Sequence, residues 1–141
     1  MYDFDYINES LSNKELNKND IIKIIKEAKL PKEEFWLGFG AALVMYGIIN
    51  KTKDIDAGCS KKLFNELSKK YEVKVSPMGG KMISINKFLD IFLQEKPKIE
   101  FISNIQIEDL DSIILFYKKR GREKDKEKIK IIETWRKKNN K

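Results

Sequence analysis

The chain contains no histidine and a single cysteine, Cys59. The first absence excludes histidine-based catalysis and most zinc sites, and the second excludes an internal disulfide. Long apolar runs are missing as well. The longest, from Phe35 to Ile49, is about 15 residues against the roughly 20 needed to span a bilayer, and Gly38, Gly40 and Gly47 interrupt it. The opening "MYDFDYINES" is acidic and places no positive charge ahead of an apolar core, so it does not read as a signal peptide. No internal repeat and no low-complexity linker stand out. These absences set the expectation of a reduced, cytoplasmic protein with no membrane segment.

What is present suits a packed domain. A length of 141 residues predicts one domain, and 41% hydrophobic and 11% aromatic content is too high for disorder. The net charge of +7 is uneven: residues 118–141 hold twelve Lys or Arg against four Asp or Glu, a balance of +8, so the other 117 residues sum to −1. Such a segment either attracts phosphates, nucleic acid or an acidic partner, or forms a lysine-rich solvated helix.

Residues 1–18 read as an irregular arm in which Tyr2, Phe4 and Tyr6 face the body, and residues 19–141 as the domain. A helix is predicted from Asp20, capped by that acid, with Ile21, Ile22, Ile24, Ile25 and Ala28 as its apolar stripe and Pro31 as its stop. A second helix follows Gly40 and runs to Gly47. "DIDAGC" reads as a short strand, after which Ser60 caps a helix bearing Leu63, Phe64 and Leu67. "YEVKVS" and "KMISI" read as a hairpin around Pro77-Met78-Gly79-Gly80. "FLDIFLQ" and "KIEFIS" are two further strands separated by Pro97. The remainder reads as helix, with Leu110, Ile113, Ile114 and Tyr117 in one stripe and Ile129, Ile132 and Trp135 in another beyond Gly121. The expected architecture is α+β, a mixed sheet with helices packed on one side.

Asp54-Ile55-Asp56 carries the chemistry. Alternate residues of a strand point the same way, so both acids project from one face with Ile55 behind them. Like charges at that spacing repel unless a cation lies between them. Mg²⁺ is the natural ion, being hard, oxygen-seeking and commonly held by one or two carboxylates plus substrate phosphates. Asp90, set among apolar residues in "FLDIFL", is the third acid expected beside the pair, because an unpaired carboxylate is costly there; Glu100 is the reserve. The alternative is a strand that reaches the surface, with Asp90 facing water on an edge.

The order of glycine turn, helix, D-x-D strand and later acid resembles the nucleotidyltransferase superfamily related to DNA polymerase β. "GFGAALVMYGIINKTKDID" looks most like its small bacterial branch near lincosamide nucleotidyltransferases and abortive-infection nucleotidyltransferase toxins. Gly40, Ala42-Leu43, Gly47 and Thr52-Lys53-Asp54-Ile55-Asp56 occupy the motif positions. Downstream, "LDIF" resembles the third-carboxylate strand, and Lys118, Gly121-Arg122 and Lys124-Asp125 match the closing helices. The resemblance covers about residues 35–135. It departs at Phe39, where the family usually has glycine, and at Ala41, which brings no hydroxyl to the triphosphate.

The resemblance implies transfer of a nucleoside monophosphate from an NTP, ATP among them, to a hydroxyl on a small molecule, RNA or protein, with release of pyrophosphate. It implies Asp54, Asp56 and Asp90 as catalytic acids and ligands of two Mg²⁺ or Mn²⁺ ions, with Asp90 also helping to deprotonate the acceptor hydroxyl. Gly40 and Ala41 would offer backbone donors to phosphate, and Lys53, Lys118, Arg122 and Lys124 would offer cations. The chain is shorter than family members that carry an extra acceptor-binding domain, so a protein partner, a homodimer or a large acceptor is expected to complete the site. The competing reading keeps the fold without turnover, as a binding protein of antitoxin or phage-inhibitor type.

Overall fold

The computed structural model describes residues 15–77 and 79–140. Among them are five helices, α1 (Lys18–Ala28), α2 (Phe39–Tyr46), α3 (Lys61–Leu67), α4 (Leu110–Arg120) and α5 (Glu123–Asn139). Seven strands, β1 (Phe35–Gly38), β2 (Ile55–Cys59), β3 (Lys74–Val75), β4 (Lys81–Ser84), β5 (Leu89–Leu93), β6 (Ile99–Ile102) and β7 (Ile105–Glu108), form one sheet in the order β3-β4-β5-β2-β1-β7-β6. The sheet is mixed: β2 runs parallel to β5 and β1 to β7, while the remaining neighbours are antiparallel. The fold is therefore α+β, as expected. Among the described residues no helix is long and apolar enough to cross a membrane.

Period-two alternation separates the two faces of the sheet. Phe35 and Leu37 of β1, Ile55, Ala57 and Cys59 of β2, Ile83 of β4, Leu89 and Ile91 of β5, and Ile107 of β7 share one face and are all buried. Apolar side chains from all five helices join them in one cluster. Helix α2 is buried from Ala41 to Met45, so it is apolar all round rather than amphipathic. It ends where Gly47 takes φ 83°, a left-handed conformation that glycine adopts without a Cβ penalty. The opposite face carries Trp36, Gly38, Asp56, Gly58, Asp90 and Glu108.

Several local signals act as the sequence suggests. The Ser60 hydroxyl accepts from Leu63 N at 3.1 Å and starts α3. Gly121, at φ 65°, separates α4 from α5. Other expectations are corrected. Helix α1 begins at Lys18 rather than Asp20: Asn17 caps it, and Asp20 closes the capping box from the third helical position. The arm assigned to residues 1–18 therefore ends inside the body, since Leu16 is buried and pairs with Thr52. Tyr2, Phe4 and Tyr6 lie outside the described residues. The strand expected over 71–76 shrinks to Lys74–Val75, an edge with Val73 and Val75 exposed and no core behind it.

Candidate functional site

The register of four central strands builds the site. Asp56 pairs with Asp90 across parallel β2 and β5, and with Gly38 across antiparallel β1. Leu37 pairs with Ile107 in parallel β7, which puts Glu108 next to Gly38. Asp90, Asp56, Gly38 and Glu108 thus stand in one row across the sheet, on the face away from the core cluster. Neighbouring strands lie about 4.8 Å apart, so the row is a short trough with a bare glycine floor between acids.

The electrostatics of the row are strained. Burial, then the charges of Asp90 and Asp54, push the Asp56 carboxyl up to about 6, and Arg120 opposes them only in part. Asp54 lies one residue ahead of β2 and is exposed. Asp90 is half-buried, and its Oδ1 accepts from Ser84 Oγ at 2.6 Å. Among the described residues no group of three or more acid or cysteine side chains is gathered tightly enough to hold an ion as the side chains stand. The donor chemistry nevertheless fits a hard divalent cation: the oxygens are all carboxylate, and the excess negative charge at Asp56 is what such an ion would relieve.

The turn into α2 is unusual. Phe39 has φ 49°, a left-handed conformation that is a genuine outlier for a bulky residue. Its ring meets Phe116 edge-on, with centroids 4.7 Å apart, and Tyr117 at 6.0 Å. A Cβ on Gly40 would come within 2.5 Å of Thr52 Oγ1, so this glycine admits the loop ahead of Asp54. Ala41 is fully buried. Both residues lie in the first turn of α2, whose backbone N–H groups have no partner within the helix.

The cation beside Asp56 is Arg120, which sequence reasoning missed. Its guanidinium lies 5.6, 5.2 and 5.7 Å from the ring centroids of Phe39, Phe116 and Tyr117. It also donates to both oxygens of Asp125, at 2.9 and 2.7 Å. Arg122 turns to the same Asp125, while Lys53, Lys118 and Lys124 are exposed. The i, i+4 spacing of Phe116 and Arg120 was the only local hint.

Glu108 is the second residue missed. It is buried, and burial raises its carboxyl, with Gln94 opposing and Asp109 adding to the shift. Gln94 reaches across Gly58: its Oε1 accepts from Trp36 Nε1 at 2.9 Å, and its Nε2 donates to Glu108 Oε1 at 3.3 Å. The alternation in "IQIE" was the available signal. The reserve acid Glu100 is excluded from the row, since its pairing with Ile107 sets it on the helix-bearing face.

A cleft of about 410 Å³ opens two residues along the strands, lined by Glu34, Trp36, Ser60, Lys61, Leu93 and Gln94. A Cβ on Gly58 would overlap both Gln94 Oε1 and Trp36 Nε1. Gly58→Ala is therefore expected to cost about 1–3 kcal/mol in urea unfolding, the usual range for overpacking. A neutral result would mean that the bridge above Gly58 is loose.

Against known proteins, the chain matches no family model, no curated protein and no solved structure.

Proposed function

We propose that this chain has a nucleotidyltransferase-type fold and transfers a nucleoside monophosphate from an NTP to an acceptor hydroxyl in the cytoplasm. The observation that carries the reading is the pairing of Asp56 with Asp90 on adjacent parallel strands, beside the turn that opens α2. Asp54, Asp56 and Asp90 would hold Mg²⁺, or Mn²⁺ in its place, which supplies neutralisation of the triphosphate charge and polarisation of the reacting oxygens. The N–H groups at the start of α2 offer donors to phosphate. Arg120 joins Lys53, Lys118, Arg122 and Lys124 as a cation for the same charge. Small molecules, RNA and proteins all remain candidate acceptors.

One observation favours the non-catalytic alternative. The Phe39 ring, held by Phe116 and Tyr117, fills the turn where the resembling family keeps a glycine. The experiment is calorimetric titration of ATP, GTP, CTP and UTP, with Mg²⁺ and with EDTA, into wild type and Asp54→Ala. Metal-dependent binding of a nucleotide, lost in a variant that melts like wild type, supports the catalytic site. Equal binding in EDTA, or full binding by Asp54→Ala, rejects the metal role. Absence of binding by wild type points to the partner-binding protein.

A further inference from the structure

We propose that Glu108 is the group that takes the proton from the acceptor hydroxyl, an inference that rests on the nucleotidyl-transfer reading. The row Asp90–Asp56–Gly38–Glu108 is divided by its glycine into two unequal parts. On one side Asp56 and Asp90 stand on neighbouring strands and share the charge that a cation would relieve. On the other, Glu108 is two strand spacings from Asp56, roughly 9–10 Å between backbones. Gly38 leaves the space between them without a side chain. Glu108 leans over that space, its Oε1 3.4 Å from where a Cβ on residue 38 would be.

A carboxylate engaged with a metal ion is a poor proton acceptor, and Asp90 already has one oxygen committed to Ser84. Glu108 stands apart from the Asp56–Asp90 pair, and only its Oε1 is engaged, by Gln94 at 3.3 Å. Its position is fixed from two directions: Gln94, anchored on Trp36, donates to the carboxylate, and Tyr46 Oη donates to the Glu108 backbone oxygen at 2.9 Å. Burial, which favours the protonated form, makes it a stronger base than a solvated glutamate. In the step, the acceptor O–H bond breaks and its proton passes to a Glu108 oxygen. The acceptor oxygen forms a bond to the α-phosphorus of the NTP. The bond from that phosphorus to the bridging oxygen breaks, and its electron pair leaves with pyrophosphate.

The test compares wild type with Glu108→Gln, which keeps an oxygen to accept from Gln94. Pyrophosphate release is measured with Mg²⁺ and each NTP, with water and bulk tRNA as acceptors, and nucleotide affinity is measured by calorimetry. The expected result is a kcat lower by about 10²–10⁴-fold, with nucleotide affinity within about twofold of wild type and an unchanged melting temperature. A variant that keeps kcat within about threefold, or loses affinity and stability together with rate, overturns the role. A wild type that binds Mg·NTP but releases no pyrophosphate also overturns it, while leaving the nucleotide site standing. A wild type that binds no NTP removes the underlying reading and this inference with it.

Discussion

Asp56→Asn is expected to stabilise the metal-free protein while abolishing the proposed nucleotidyl transfer. Asp56 is held near 6 against an ordinary value of 3.8, so the folded state binds its proton more tightly than the unfolded chain does. Ionising the group therefore costs stability as pH rises. Below about pH 4 the carboxyl is protonated in both states and the penalty is absent; it grows between about pH 4 and pH 6 and is complete above. Each unit is worth about 1.36 kcal/mol, and allowing for partial solvation the neutral amide should gain about 1–3 kcal/mol near pH 7. For a chain of this size that is roughly 3–10 °C in melting temperature. Thermal melts in EDTA at acid and neutral pH check the sign: the gain should vanish in acid. Added Mg²⁺ should raise the melting temperature of wild type and leave the variant unmoved. A variant less stable than wild type at neutral pH would mean that the Asp56 charge is already compensated.

Asp125→Ala should have the largest effect on stability. Only 1% of its side chain is exposed, and it accepts from Arg120 Nε and Nη2, from the Arg122 backbone N–H at 3.1 Å, and from the Arg122 side chain. Removing the acid leaves Arg120, itself mostly buried, without its counter-charge and opens the start of α5. A buried ion pair broken from one side costs about 3–5 kcal/mol; because Arg122 is largely solvated, about 2–4 kcal/mol is expected here. The arginines hold the Asp125 carboxyl well below the usual carboxylate range, led by the Arg120 hydrogen bonds. Its contribution is therefore fully present above the unfolded value near 4 and is lost as pH falls below it. Urea unfolding should show wild type losing stability in acid more steeply than Asp125→Ala. Similar acid sensitivity in the two would rule out this pairing as its source. The Lys126–Glu123 pair, exposed on both sides, serves as the control: Glu123→Ala should be nearly neutral. Release of Arg120 should also weaken the proposed nucleotide binding, because this cation stands beside Asp56.

Elements marked by local chemistry were legible in the sequence. Gly47 and Gly121 end helices because each adopts a left-handed conformation, and Ser60 starts one because its hydroxyl meets Leu63 N. Strand β2 emerged from its apolar alternation, and Asp54 and Asp56 from their spacing. Strand β1 was not legible, since Phe35 to Gly38 is buried on both faces and shows no alternation. Strand β7 is only four residues long and merged into the helical reading that follows it.

The row of acids depends on contacts that no local pattern encodes. Asp56 meets Asp90, and Gly38 separates Asp56 from Glu108, because the apolar halves of β5, β2, β1 and β7 must all face the same helices. That requirement sets the parallel registers, since a slip of one residue would turn every buried side chain toward solvent. Arg120, rather than Lys118 or Arg122, becomes the cation beside Asp56 because Phe39, Phe116, Tyr117 and Asp125 hold its guanidinium there. Local sequence could thus name Asp54 and Asp56 from their spacing, and Asp90 from its place in an apolar strand, where an ionised group is costly. Glu108 and Arg120 acquired their positions only from packing, which joins residues distant along the chain through one shared buried face.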